Sequence, residues 1–183
     1  MRKRTKEIAL IGMLTALITV TGIFKIPGIL PGTEFQLSAP VAVAICASFG
    51  FRRYLISGVL ASAVSFVLGL QNLLNIAVAM TFRVAAGGLI LLLGNVFWVV
   101  ILAGPFGTFC ARLVLGAITN TNVWALVAAA GVGMIYTAVA AYPIYRAMAY
   151  LGKVGGFPEM VAPKRNTMKR LMQKTGIIRR QEL

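Results

Sequence analysis

From Tyr54 to Tyr145 the chain carries only two charged side chains, Arg83 and Arg112, and no acidic residue occurs between Glu34 and Glu159. Nothing else in the sequence limits the fold as strongly. A soluble domain needs charge spread over its outer face, and here 59% of residues are hydrophobic while 12% are charged. In lipid, only helices and closed barrels satisfy every backbone N–H and C=O. The apolar runs approach the roughly 20 residues that a helix needs to cross a bilayer. The expected fold is therefore all-α and integral to the membrane.

Turn signals divide the chain into six spans, at about 7–24, 38–51, 54–70, 76–93, 96–118 and 123–150. The second is short for a full crossing. The fifth is expected to bend at Gly104-Pro105, where a backbone donor is missing. Basic residues cluster before the first span (Arg2, Lys3, Arg4, Lys6), between the second and third (Arg52, Arg53) and after the sixth (Lys164 to Arg180). With six spans all three clusters fall on one side, and the positive-inside rule makes that side cytoplasmic, termini included. The expected organisation is a membrane domain over 1–151 and a basic tail over 152–183, the tail being either an interfacial helix or disordered. The expected location is the cell membrane, as a multi-pass protein. Net charge +14 raises the question of nucleic acid, but clusters that flank spans are better matched to anionic membrane lipid. No nucleic-acid partner is expected.

The chemistry of catalysis is missing. The chain has no histidine, so the usual general base and the commonest metal ligand are gone. Cys46 and Cys110 lie inside apolar runs and read as packing residues. There is no phosphate-binding Gly-rich loop with Lys-Ser/Thr, and no paired carboxylate in the spans. We expect no enzyme activity, no cofactor and no metal site.

Arg83 and Arg112 carry the strongest functional signal. A guanidinium at membrane depth is costly and usually faces a bundle interior or a wet cavity. The plain alternative is snorkelling to the outer headgroups. Arg83 follows the polar patch Gln71-Asn72/Asn75 by about two helical turns, and Arg112 precedes the polar turn Thr119–Asn122 by about the same. Both are expected in the outer half, holding an anionic group that Arg can grip bidentately. Glu34 is the one protein carboxylate on an outer loop that can reach them. Asn72 and Asn75 are candidates for amide hydrogen bonds, and Phe35, Trp124 and Tyr136 for stacking faces. Each of these also has an ordinary reading, as a loop residue or an interfacial anchor.

Small residues recur four apart in the first span, at Gly12 and Ala16 with Ala9 nearby. They recur in the sixth as well, at Ala129, Gly133, Thr137 and Ala141. Such stripes let helices approach closely, either within this chain or against a partner subunit.

Several stretches together resemble the substrate-binding S components of energy-coupling factor vitamin transporters. They are the opening "TKEIALIGMLTAL", the outer loop after the first span, and the closing "YTAVAAYPIYRAM", over about 5–151. The spacing in "GMIYTAVAAYPIYRAM" and the outer segment up to Arg83 are similar to the tryptophan-uptake subgroup. The resemblance implies that the chain binds a vitamin or amino-acid-like nutrient with an acidic group from outside. It implies that the Lys25–Leu37 loop closes as a lid. It also implies docking, through Ala9, Gly12 and Ala16, on a transmembrane coupling subunit driven by two ATPase subunits. Met13 departs from the family's small-residue pattern, so the stripe runs through Gly12 and Ala16. The alternative is an autonomous homo-oligomeric secondary carrier, which would need an ion-coupling carboxylate or histidine that the spans lack.

Overall fold

A computed structural model describes residues 3–27 and 34–163, with the side chains of 25–27 and 34–36 outside that description. Among the described residues there are six α-helices: α1 (Lys3–Ile23), α2 (Ser38–Phe49), α3 (Phe51–Val67), α4 (Leu73–Leu93), α5 (Phe97–Thr119) and α6 (Val123–Val154). A two-stranded antiparallel hairpin, β1 (Lys25–Pro27) with β2 (Glu34–Gln36), joins α1 to α2. A short 3-10 turn, Pro158–Met160, follows α6. The chain is an all-α membrane protein: α1, α4, α5 and α6 are long and apolar enough to cross a bilayer. The turns between helices are set by local chemistry. Asn72 and Asn122 cap α4 and α6 by accepting from the backbone N–H of Asn75 and Trp124, and Asn120 ends α5 in the left-handed conformation.

The second helix departs from the expected span. It has 12 residues, about 18 Å of helix against a hydrocarbon core of about 30 Å. Every residue from Pro40 to Phe49 is buried. It contacts all five other helices, so it is the axis of the bundle rather than a lipid-facing crossing. A helix ending inside protein must still satisfy its last carbonyls. Each of the four finds a donor, the first from the helix's own C-cap and the other three from elsewhere in the fold. Gly50 N–H donates to Cys46 O at 3.0 Å. Asn95 Nδ2 donates to Ala47 O at 3.1 Å. Ala162 N–H donates to Ser48 O at 2.6 Å, and Arg53 Nη1 donates to Phe49 O at 3.2 Å.

Arg53 also donates to Met160 O at 3.1 Å and pairs with Glu7 at 3.3 Å, while Lys6 Nζ reaches Gly156 O at 3.4 Å. The start of α1, the α2–α3 junction and the end of α6 therefore meet at one end of the bundle, as the charge pattern requires. The tail expected over 152–183 begins later than that boundary: α6 runs on to Val154 and the segment through Pro163 packs back on the bundle, with Met160 buried, while residues 164–183 lie outside the described residues. The small-residue stripe of α6 turns inward: Ala141 is buried in the core, and Thr137 packs against Gly104 of α5. That stripe serves packing within this chain.

Candidate functional site

At the end opposite Arg53, the six helices part around a cavity of about 460 Å³. That falls within the range of small-molecule sites. Each helix contributes: Ile18 from α1, Ser38 from α2, Ser65 from α3, Asn75 and Arg83 from α4, Arg112 from α5, Tyr136 from α6. The bundle opens here because α2 stops short. Its first turn, Ser38 and Ala39, forms part of the cavity wall, and Leu37 supplies no side-chain cap. The positive end of that helix thus faces the hollow. Proline at position 40 fits a first turn, where its missing N–H costs nothing. Strand β2 contacts both α1 and α6, so the hairpin joins α1 to α2 beside the cavity.

Arg83 does not snorkel. It is 7% exposed, and Nη1 donates to Ser62 Oγ at 2.7 Å and lies 3.4 Å from Met80 Sδ. The stem is accommodated by Gly58 of α3, where a Cβ would stand 2.5 Å from Arg83 Nε. A guanidinium carries five N–H donors, and the Ser62 bond leaves others for a ligand. Arg112 is half-buried on the same cavity and has no hydrogen-bond or ion-pair partner among the described residues. Arg83 stands ten residues into α4 and Arg112 seven residues before the end of α5, about 15 Å and 10 Å from those ends. The two are staggered in depth rather than level. Among the described residues no carboxylate lines the cavity. Two cations and a helix N-terminus, with no counter-ion among the described residues, make a positive enclosure suited to a carboxylate or phosphate.

Asn75 and Tyr136 line the cavity as the sequence suggested, and so do Gln71, Phe82 and Thr108. Asn72 and Trp124 do not. The Asn72 side chain is used up capping α4, and Trp124 is 73% exposed at the start of α6, where an interfacial aromatic belongs. Glu34 and Phe35 lie on β2, with their side chains outside the described residues. Ala9, Gly12 and Ala16 all sit on the exposed face of α1, opposite its buried ridge of Leu10, Leu14 and Ile18. Sequence reasoning missed Gly58 and Ser62, the groups that position Arg83. Small residues among apolar ones in a span show no sign of which neighbour they make room for.

The chain is similar to Protein BioX of Lysinibacillus sphaericus, with 47% identity over 154 residues, 84% of this chain and 93% of that relative. No family profile and no solved structure matches the chain. The match to Protein BioX does not support the tryptophan-uptake subgroup suggested by spacing in α6.

Proposed function

The chain belongs to the family of Protein BioX, and from that premise we propose that it is the S component of an energy-coupling factor importer in the cell membrane. Its cargo is a vitamin bearing a carboxylate, and the relative's name points to biotin. The observation that carries this is the pair Arg83 and Arg112 on one enclosed cavity, with no protein carboxylate lining it among the described residues. An uncompensated positive enclosure at membrane depth is costly unless something negative fills it. The acid group lies against the two guanidinium forks and the first turn of α2. The apolar remainder packs on Val78, Phe82 and Tyr136. The hairpin between α1 and α2 closes over the loaded site as a lid.

Release needs energy that this chain does not supply. The exposed stripe Ala9, Gly12 and Ala16 gives a coupling subunit a surface on which backbones can approach closely; a Cβ at Gly12 would meet nothing within 4 Å. Two ATPase subunits bound to that partner drive the cycle, and the S component itself is not an enzyme. The test is uptake of labelled biotin in a host lacking its own biotin uptake. The chain should import biotin only when coupling and ATPase subunits are co-expressed. Robust uptake by the chain alone would instead identify an autonomous carrier. Mass spectrometry of the purified protein should find a carboxylate-bearing small molecule retained.

A further inference from the structure

A second cavity, of about 490 Å³, lies at the opposite end of the bundle, between the last turns of α6 and the returning segment 158–163. Helix α6 has 32 residues, while about 20 suffice to cross a bilayer. Its final dozen residues therefore run through the interface beyond the hydrocarbon. Along that stretch and one residue before it, Tyr142, Tyr145, Arg146, Ala149 and Lys153 recur at three- and four-residue spacing, so they share one face, and all of them line the cavity. The facing wall is fixed. Its backbone is tied to Ser48 O through Ala162 N–H at 2.6 Å and to Arg53 through Met160 O at 3.1 Å.

The cleft is apolar within and cationic at its rim. Tyr142 stacks edge-on against Phe97 at 4.7 Å and tilts against Tyr145 at 5.9 Å. Arg146 and Lys153 are exposed and have no hydrogen-bond or ion-pair partner among the described residues. The two carboxylates near this end do not line the cavity: Glu7 pairs with Arg53, and Glu159 is exposed on the 3-10 turn. In sequence, residues 164–183 carry seven Lys or Arg against one Glu, the same sign as the rim.

We propose that this cleft is a binding site for one anionic phospholipid of the leaflet on the basic side. The phosphate sits between Arg146, whose fork suits phosphate oxygens, and Lys153. The glycerol and upper acyl carbons lie on the tyrosine wall, where amphipathic rings favour the headgroup level.

The test is native mass spectrometry of the full chain taken from detergent containing equal phosphatidylglycerol and phosphatidylcholine. Wild type should retain one phosphatidylglycerol with a preference of about tenfold or more, the scale expected for two cations near a lipid surface. Arg146→Gln with Lys153→Gln should lower that preference to within about twofold. Arg4→Gln with Arg52→Gln removes equal charge at the same end but outside the cleft, and should leave the preference intact. A preference that survives the cleft substitutions, or falls equally in both double variants, would overturn the site in favour of diffuse surface charge. Millimolar inorganic phosphate alone should not raise the melting temperature of the wild type. If it does so, and the cleft substitutions abolish the effect, the ligand is a soluble phosphate and the lipid assignment fails.

Discussion

Gly58 does not line the cavity, yet replacing it with alanine should weaken ligand binding. Its Cβ would stand 2.5 Å from Arg83 Nε and 2.6 Å from Cδ, where contact is comfortable only near about 3.5 Å. The arginine stem must therefore retreat by about 1 Å. The bond from Nη1 to Ser62 Oγ measures 2.7 Å; lengthened by that amount it leaves the hydrogen-bonding range. A hydrogen bond to a charged group contributes about 1.5–3 kcal/mol, so losing the positioned guanidinium should weaken binding by about 10- to 100-fold. The fold should survive, because alanine is favoured over glycine inside a helix by about 1 kcal/mol, which offsets part of the overpacking. The assay is calorimetric titration of the purified protein with biotin. Gly88→Ala is the control: it lies on the same helix as Arg83, and its Cβ meets nothing within 4 Å. That variant should bind within about twofold of wild type and gain about 0.5–1 kcal/mol of stability. Wild-type affinity in Gly58→Ala, alongside lost affinity in Arg83→Ala, would refute the claim that Gly58 sets the position of the guanidinium.

Arg53→Ala should destabilise the fold by about 1–3 kcal/mol, because it strips donors from the carbonyls of two buried residues, Phe49 and Met160. Glu7→Ala should cost under about 1 kcal/mol, since its ion pair is part-exposed, and thermal melting in detergent separates the two. Asn72→Ala and Trp124→Ala should each leave biotin affinity within about twofold of wild type, since neither side chain reaches the cavity; a tenfold loss in either would relocate the site. Gly12→Leu should abolish partner-dependent uptake while sparing binding by the purified protein, and normal uptake would move the docking face elsewhere on the molecule.

The helical bundle could be read from the sequence because apolar runs, polar turns and flanking cations all register in one dimension. The role of α2 could not. In lipid, a helix facing its neighbours and a helix facing acyl chains are equally apolar, so the run from Ser38 to Phe49 carries no periodicity to tell them apart. Only its length, noted as short, hinted at a buried axis. Arg83 and Arg112 stood out because charge is so rare in the spans, and the cavity bears out their inward placement. Arg53 was masked by the same logic in reverse. Beside Arg52 it reads as one more cation obeying the positive-inside rule, yet it bonds two backbone carbonyls and Glu7. Asn72 and Trp124 misled because a capping amide and an interfacial aromatic use the same residue types as a binding site.

The central claim is that Arg83 and Arg112 together hold a carboxylate, and the most direct measurement compares biotin with its methyl ester on wild type and on the Arg83→Ala, Arg112→Ala double variant. Wild type should bind the acid at least about 100-fold more tightly than the ester, the scale of two charge-assisted contacts, and the double variant should hardly distinguish them. Equal binding of acid and ester by wild type, or full discrimination retained in the double variant, would contradict it.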